Sequence, residues 1–150
     1  MKLPLRKVVV PVDFSDESFA ALEAALEIAA GDASRIHLIH VLPDLSPVEP
    51  GVVWGAIDEQ QRKAETLQAL RKRLADDAYA DLNIEVCVGG PGHEIVAFAE
   101  RLPADLIVMP SHGRTGIQRI LIGSVAERVV RLAPCPVLIF RQPKTIAAEG

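Results

Sequence analysis

The chain has 150 residues, of which 49% are apolar and 24% are charged, and its formal net charge is −4. This length is sufficient for one domain with a hydrophobic core, and the composition is that of a globular protein. Because aromatic residues make up only 4% and the net charge is negative, a nucleic-acid-binding surface is not expected. No apolar run approaches the roughly 18 residues of a membrane-spanning helix, so no membrane partner is expected either.

The first predicted element is a strand at residues 7–12. Its run of apolar, mostly β-branched residues is typical of a strand buried on both faces of a sheet. Pro11 and Asp13 interrupt the run too early for a signal peptide. A helix follows, with Ser15 as its predicted N-cap, acidic residues in its first turn and Gly31 at its end.

Strands and helices then alternate along the rest of the chain. Further strands are predicted at residues 35–42, 83–88, 106–109 and 137–140, and further helices at residues 56–75, 93–102 and 124–132. This alternation predicts an α/β fold in a single domain spanning residues 1–150. The expected architecture is an open, Rossmann-like parallel sheet of five strands with helices on both faces and right-handed crossovers.

Two segments fall outside this alternation. Residues 43–55, which include Trp54, form a long irregular stretch that is either a flap or partner surface, or a plain surface connection. Residues 142–150 form a short tail. In open parallel sheets, ligands bind at the carboxyl ends of the strands where the strand order reverses, and Asp13, Leu42 and Pro110 all lie at such ends.

The cysteines and the strand histidines show no metal-binding pattern. Cys87 and Cys135 have neither metal nor redox spacing, so two reduced, partly buried thiols are expected, which indicates a cytoplasmic location. His37 and His40 lie in an apolar strand without companion ligands, which favours core or surface histidines over a metal site.

The connection at residues 110–123 leaves a buried strand and ends at a helix N-terminus. Orphan backbone N–H groups and the helix dipole make such a position a natural anion site. Gly113, Gly116 and Gly123 would let the backbone approach a ligand or adopt φ values closed to other residues, although turn geometry explains them equally well. Arg114 and Arg119 add positive charge suited to phosphate.

Two polar residues at the predicted ligand edge have alternative interpretations. Ser124 and Glu127 match a capping box, in which the serine hydroxyl bonds the Glu127 N–H, and this role is compatible with a ligand nearby. Asp13 either binds a base, a ribose hydroxyl or a hydrated metal, or makes a local turn contact before the first helix. No P-loop or dinucleotide fingerprint and no catalytic constellation is present.

Several segments resemble the universal stress protein family. They are VPVDFS at residues 10–15, ADLIVM at 104–109, SHGRTG at 111–116, GSVAERV at 123–129 and PCPVL at 134–138. The nucleotide-binding branch of that family has the pattern G-x-x-G-x9-G-[ST]. Gly113, Gly123 and Ser124 match its second half, whereas Pro110 stands at its first glycine. Since proline has no N–H, about 1 kcal/mol of ligand hydrogen bonding would be lost there.

The resemblance implies a domain of the adenine nucleotide alpha hydrolase-like type that binds ATP or AMP, with Mg²⁺ or Mn²⁺ bridging the phosphates. The expected contacts are Pro11, Asp13 and Val41 around the adenine and ribose, Met109 and Pro110 beside the ribose, and Gly113, Gly123, Ser124 and Val125 at the phosphates, with Arg114 supplying charge. The resemblance also implies a homodimer paired through the strand at residues 137–141, whose apolar edge would otherwise be unprotected.

Three functions are consistent with these residues. The first is a dimeric stress-response regulator or interaction module whose partner surface changes with nucleotide occupancy. The second is a nucleotide-free dimeric interaction protein of the same fold, which the proline at position 110 keeps open. The third is an ATPase, expected to be slow at most because no positioned base or arginine finger can be named.

Overall fold

The computed structural model describes residues 3–45, 59–112 and 122–141. Its strands are Val8–Pro11 (β1), Ile36–Leu42 (β2), Asn83–Val88 (β3), Leu106–Pro110 (β4) and Val137–Phe140 (β5). Its α-helices are Asp16–Ile28 (α1), Glu59–Arg73 (α2), Pro91–Arg101 (α3) and Ser124–Leu132 (α4). Short 3₁₀ turns at Ala33–Arg35 and Asp77–Tyr79 precede β2 and β3. Trp54 and the tail lie outside the described residues.

The five strands form the predicted parallel sheet, and their order in it is β3-β2-β1-β4-β5. The chain winds outwards from β1 to β3 on one side, then crosses back and adds β4 and β5 on the other. Val8 of β1 is therefore paired with Ile36 on one side and with Leu106 on the other. The strand order reverses between β1 and β4, so their carboxyl ends border a crevice of the type in which such sheets bind ligands.

Helices cover both faces of the sheet, which confirms the predicted architecture. Val8 and Val10 of β1 pack on one face with Leu22 of α1 and Leu70 of α2. Val9 points to the other face, because successive strand residues alternate, and packs there with residues of α3 and α4. All three valines are fully buried, as the apolar run at residues 7–12 predicts.

The ends of α1 follow from its local sequence. The Ser15 hydroxyl oxygen accepts a hydrogen bond from the Ser18 N–H at 3.1 Å, which confirms Ser15 as the N-cap. At the other end Gly31 has a φ of +80° and donates its N–H to the Leu26 carbonyl at 2.9 Å. A glycine adopts this left-handed conformation without the steric cost that a Cβ atom would add.

Some boundaries differ from the prediction by one or two residues. The helix α3 begins at Pro91 rather than at His93, because proline is well suited to the first helical position, where its missing N–H costs nothing. The strand β4 includes Pro110 and pairs it with Phe140. In the parts of the chain that the structure describes, no helix combines the length and apolarity needed to cross a bilayer.

Candidate ligand-binding site

A cavity of about 310 Å³ lies at the carboxyl ends of the strands, at the point where the strand order reverses. This volume falls at the lower end of the range typical of small-molecule sites, roughly 300–1,000 Å³. The cavity is formed by β1, β2 and β4 and by the first turns of three helices. Its described lining residues are Pro11, Val12, Asp13, Ser18, Ile39, Val41, Pro91, Ile95, Met109, Pro110, Ser111, His112, Gly123, Ser124, Val125 and Ala126.

Most of the predicted site residues meet at this cavity. Those that line it are Pro11, Asp13, Val41, Met109, Pro110, Gly123, Ser124 and Val125. Gly113 and Arg114 lie outside the described residues. The structure thus brings together four separate parts of the sequence, while the contact of these residues with a nucleotide stays a prediction.

The turn between β1 and α1 forms one wall of the cavity and is held by local hydrogen bonds. One carboxylate oxygen of Asp13 accepts from the Ser15 N–H at 3.0 Å and from the Ser15 hydroxyl. The Asp13 N–H donates to the Ser18 hydroxyl at 3.3 Å. Asp13 therefore makes the local turn contact that was one of its two interpretations, and its side chain also borders the cavity.

Sequence reasoning missed two residues that belong to this turn. Ser18, which is 1% exposed, was not singled out, although its place three residues after the N-cap directs it back towards the turn. For His40 the sequence favours a core or surface histidine over a metal ligand and gives no sign of a role in the turn. Its Nδ1 atom lies 2.6 Å from the carbonyl oxygen of Val12, so the imidazole is part of the same hydrogen-bonded turn.

The opposite wall is the N-terminus of α4, and here the capping-box prediction is wrong. The N-cap is Gly123, in an extended conformation, and Ser124 is already the first helical residue. The Glu127 N–H donates to the Gly123 carbonyl at 2.9 Å, which is the first bond of the helix. The Glu127 carboxylate turns the other way, to Arg131 at 2.6 Å. The first turn of α4 therefore begins at a residue that has no side chain to cap it.

Gly123 is also hydrogen-bonded to the start of the 110–123 connection. Its N–H donates to the carbonyl of Ser111 at 2.6 Å, so this amide already has an acceptor within the protein. Its φ of −73° is open to any residue, so the expectation of a restricted φ at Gly123 is wrong. Residues 124–126 line the cavity, and their N–H groups, which belong to the first turn, have no intrahelical acceptor.

The model of the universal stress protein family matches residues 4–141, which is nearly the whole chain. The chain belongs to the universal stress protein family. A universal stress protein of Methanocaldococcus jannaschii is 42% identical to it over 144 residues, covering 93% of this chain and 84% of the relative.

Solved structures of universal stress proteins are similar to the fold described above. The universal stress protein UspA from Lactobacillus plantarum superposes with a TM-score of 0.72 at 29% identity, covering 93% of this chain and 100% of the other. A universal stress protein crystallised in complex with cAMP gives a TM-score of 0.68 at 26% identity, covering 93% and 99% of the two chains.

Pro110, which the resemblance sets at the first glycine of the nucleotide-binding pattern, forms part of the cavity wall. It is the buried last residue of β4, paired with Phe140, and its ring lines the cavity. The strand pairing holds the proline in place without its N–H. The cavity volume of about 310 Å³ is what remains with the Pro110 ring forming part of the cavity wall.

The cysteines of this universal stress protein lie outside the cavity lining and are unpaired. Burial, and then the nearby Glu94 and Glu85 carboxylates, raise the pKa of the Cys87 thiol to about 11. Burial and Asp105 raise the pKa of Cys135. Both thiols are therefore poor nucleophiles at neutral pH. Across the described ranges there is no group of three or more metal-ligating His, Cys, Asp or Glu side chains.

Proposed function

We propose that this universal stress protein binds an adenine nucleotide, ATP or AMP, in the cavity between β1 and β4. In this proposal the protein acts in the stress response as a cytoplasmic dimer whose partner surface changes with nucleotide occupancy. The observation that carries the proposal is the first turn of α4, whose residues 124–126 line the cavity and whose N-cap is a glycine without a side-chain cap. The complex of a similar universal stress protein with cAMP supports an adenine nucleotide as the ligand.

The two walls of the cavity suit the two ends of a nucleotide. Val41 and Met109 offer apolar surface to a base, and the Asp13 carboxylate offers an acceptor to an amino group or a ribose hydroxyl. At the other wall, the amides of Ser124 and Val125 and the dipole of α4 favour the negative phosphates. Gly113 and Arg114 of the connecting loop are proposed to complete the phosphate site.

Mg²⁺ or Mn²⁺ is proposed to be held mainly by phosphate oxygens and water. This proposal rests on the chemistry of Mg²⁺, which usually keeps several waters and binds substrate phosphates through few protein ligands. Bound metal would neutralise phosphate charge. Hydrolysis is proposed to be slow at most, since no positioned base or arginine finger can be named among the described residues.

The proposed homodimer pairs through β5. This strand lies at one edge of the described sheet, next to β4 alone. Leu138 is 41% exposed there, and Val130 and Leu132 of α4 are 50% and 52% exposed. An apolar strand edge of this kind is a template for pairing with a second chain, which would cover these side chains.

Charge in this strand should break the dimer. Leu138→Lys is expected to convert the dimer to a folded monomer, because a buried, unpaired ammonium in the new interface is costly. Sedimentation velocity measures the change, with Leu3→Lys as a control, since Leu3 is even more exposed, at 74%, and is not part of β5. A Leu138→Lys protein that stays dimeric contradicts pairing through this strand.

Nucleotide binding itself is tested by isothermal titration of nucleotide-stripped protein with ATP, ADP and AMP. The proposal predicts saturable heat with at least one of them, and an adenine nucleotide in the acid-quenched supernatant of freshly purified protein. The absence of heat with all three defeats it. That outcome favours the alternative, a nucleotide-free dimeric interaction protein, in which the Pro110 ring in the cavity wall excludes the ligand.

A further inference from the structure

His40 connects β2 to the turn that forms one wall of the cavity. The pairing of β1 with β2 ends at Pro11, opposite Ile39, and the Val12 N–H then donates to the Ile39 carbonyl at 2.9 Å. The Val12 carbonyl lies 2.6 Å from the Nδ1 atom of His40. The imidazole therefore binds the backbone at the point where β1 ends and the chain turns towards α1.

The direction of this hydrogen bond is determined by its acceptor. A carbonyl oxygen can only accept, so the Nδ1 atom of His40 must carry the hydrogen. His40 is the donor and Val12 is the acceptor. The structure thus specifies the Nδ1–H form of the ring, and NMR can detect this form in the protein without any ligand.

The same imidazole also supports the residue after Asp13. Phe14 has a φ of +65°, a conformation that is unfavourable for a bulky residue. Its ring meets the His40 ring edge-on at 5.0 Å between centroids and the Phe19 ring at 6.2 Å. These two aromatic contacts hold the Phe14 side chain in the direction that the left-handed backbone gives it.

Asp13 is thus held between two residues that His40 contacts. The Val12 carbonyl before it accepts from the imidazole, and the Phe14 ring after it packs against the imidazole. His40 itself is not among the described lining residues of the cavity, whereas Val12, Asp13 and the neighbouring Val41 are. Since strand residues alternate in direction, Val41 faces the cavity and His40 faces the other side of the sheet.

We propose that His40 is a positioning residue for the nucleotide, which acts by holding the Val12–Phe14 turn so that Asp13 meets the ligand in one orientation. This proposal rests on the proposed nucleotide binding. It assigns to the α1 side of the sheet a residue that controls affinity without touching the ligand.

The test compares His40→Leu, which removes the donor, with His40→Asn, which places an amide N–H near the position of Nδ1. Titration with ATP and AMP should show affinity weakened about tenfold in His40→Leu, the effect of losing one hydrogen bond that orders the site. His40→Asn should recover most of that loss. His37→Leu is the matched control, because it removes a half-buried histidine from the same strand away from the turn.

A double-mutant cycle with Asp13 distinguishes a positioning role of His40 from general destabilisation of the protein. In an Asp13→Ala background, His40→Leu should cause little further loss, because the residue that it positions is already gone. Independent, multiplying effects of the two substitutions overturn the proposal. So does an unchanged affinity of His40→Leu in a protein whose wild type binds nucleotide.

The ring itself provides a test that does not depend on the variants folding. The ¹⁵N NMR spectrum of the nucleotide-free wild type should show His40 protonated at Nδ1, and a ring protonated only at Nε2 overturns the proposal. If His40→Leu does not fold, the proposal is tested by this spectrum and by the nucleotide affinity of His40→Asn. A wild type that binds neither nucleotide overturns the proposed function as well, whereas a failed variant comparison removes only the role of His40.

Discussion

The N-termini of α1 and α4 both border the cavity, yet they are completed in different ways. At α1 the Ser15 hydroxyl accepts from the Ser18 N–H, and two acidic residues, Asp16 and Glu17, occupy the first turn. At α4 the N-cap is Gly123, and the first-turn acid, Glu127, is drawn away to Arg131. One helix end is capped by its own side chains, and the other borders the cavity without a side-chain cap.

This difference indicates which end of the cavity suits an anion. Orphan N–H groups must find an acceptor, and α1 supplies one from its own sequence. Negative side chains in its first turn also make a second anion there unfavourable. The α4 terminus has the same dipole, but no side-chain cap accepts a hydrogen bond from its first-turn N–H groups. A phosphate group is therefore expected at α4, and the uncharged end of the ligand at the α1 turn.

The largest effect is expected when the open terminus is blocked sterically. Gly123→Val should abolish nucleotide binding, a loss of 100-fold or more on the order of 3 kcal/mol, because two methyl groups would stand where the phosphates approach. The backbone accepts valine at this φ of −73°, so thermal unfolding should stay cooperative. Isothermal titration measures the loss.

The matched control is the N-cap of α3. Gly90 has a comparable extended conformation, and a Cβ atom added there meets nothing within 4 Å. Gly90 is not among the described residues that line the cavity, although its neighbour Pro91 is, so Gly90→Val should bind nucleotide as the wild type does. If the valine at position 123 leaves binding intact, the α4 terminus does not hold phosphate.

A smaller effect is expected from making α4 resemble α1. Ser124→Asp places a carboxylate in the open first turn, where it should compete with phosphate and weaken ATP binding by about tenfold, on the order of 1.4 kcal/mol. The same charge should stabilise the helix by about 0.3–1 kcal/mol through its interaction with the helix dipole. Affinity from titration and stability from urea unfolding should thus move in opposite directions, whereas a variant that binds ATP more tightly would contradict the assignment.

The smallest effect separates the two serines. Ser15→Ala removes the observed cap of α1 and should lower the free energy of unfolding by about 1 kcal/mol. Ser124→Ala removes no cap, because Gly123 occupies that position, and should change stability by less than about 0.5 kcal/mol. Urea unfolding of both variants measures the contrast; equal losses would restore the capping role of Ser124.

The elements were predictable because their signals are local. The buried run at residues 7–12 predicted β1, and the Ser15 and Gly31 positions predicted the ends of α1, since caps and periodicity act over a few residues. The described members of the predicted site line one cavity, because strand ends of a parallel sheet meet at one edge, while their contact with a nucleotide stays a prediction. Neither step needed contacts between distant residues.

What only the tertiary structure decided depends on such contacts. The hydrogen bond from the Gly123 N–H to the Ser111 carbonyl joins two residues that are 12 positions apart. The helix α4 then starts at Ser124, which is therefore a helical residue rather than the N-cap. The contact of His40 with Val12 joins residues 28 positions apart, which meet only because β2 lies beside β1. Sequence spacing specifies periodicity and turns, whereas the partner of a side chain is determined by the strand order and the packing around it.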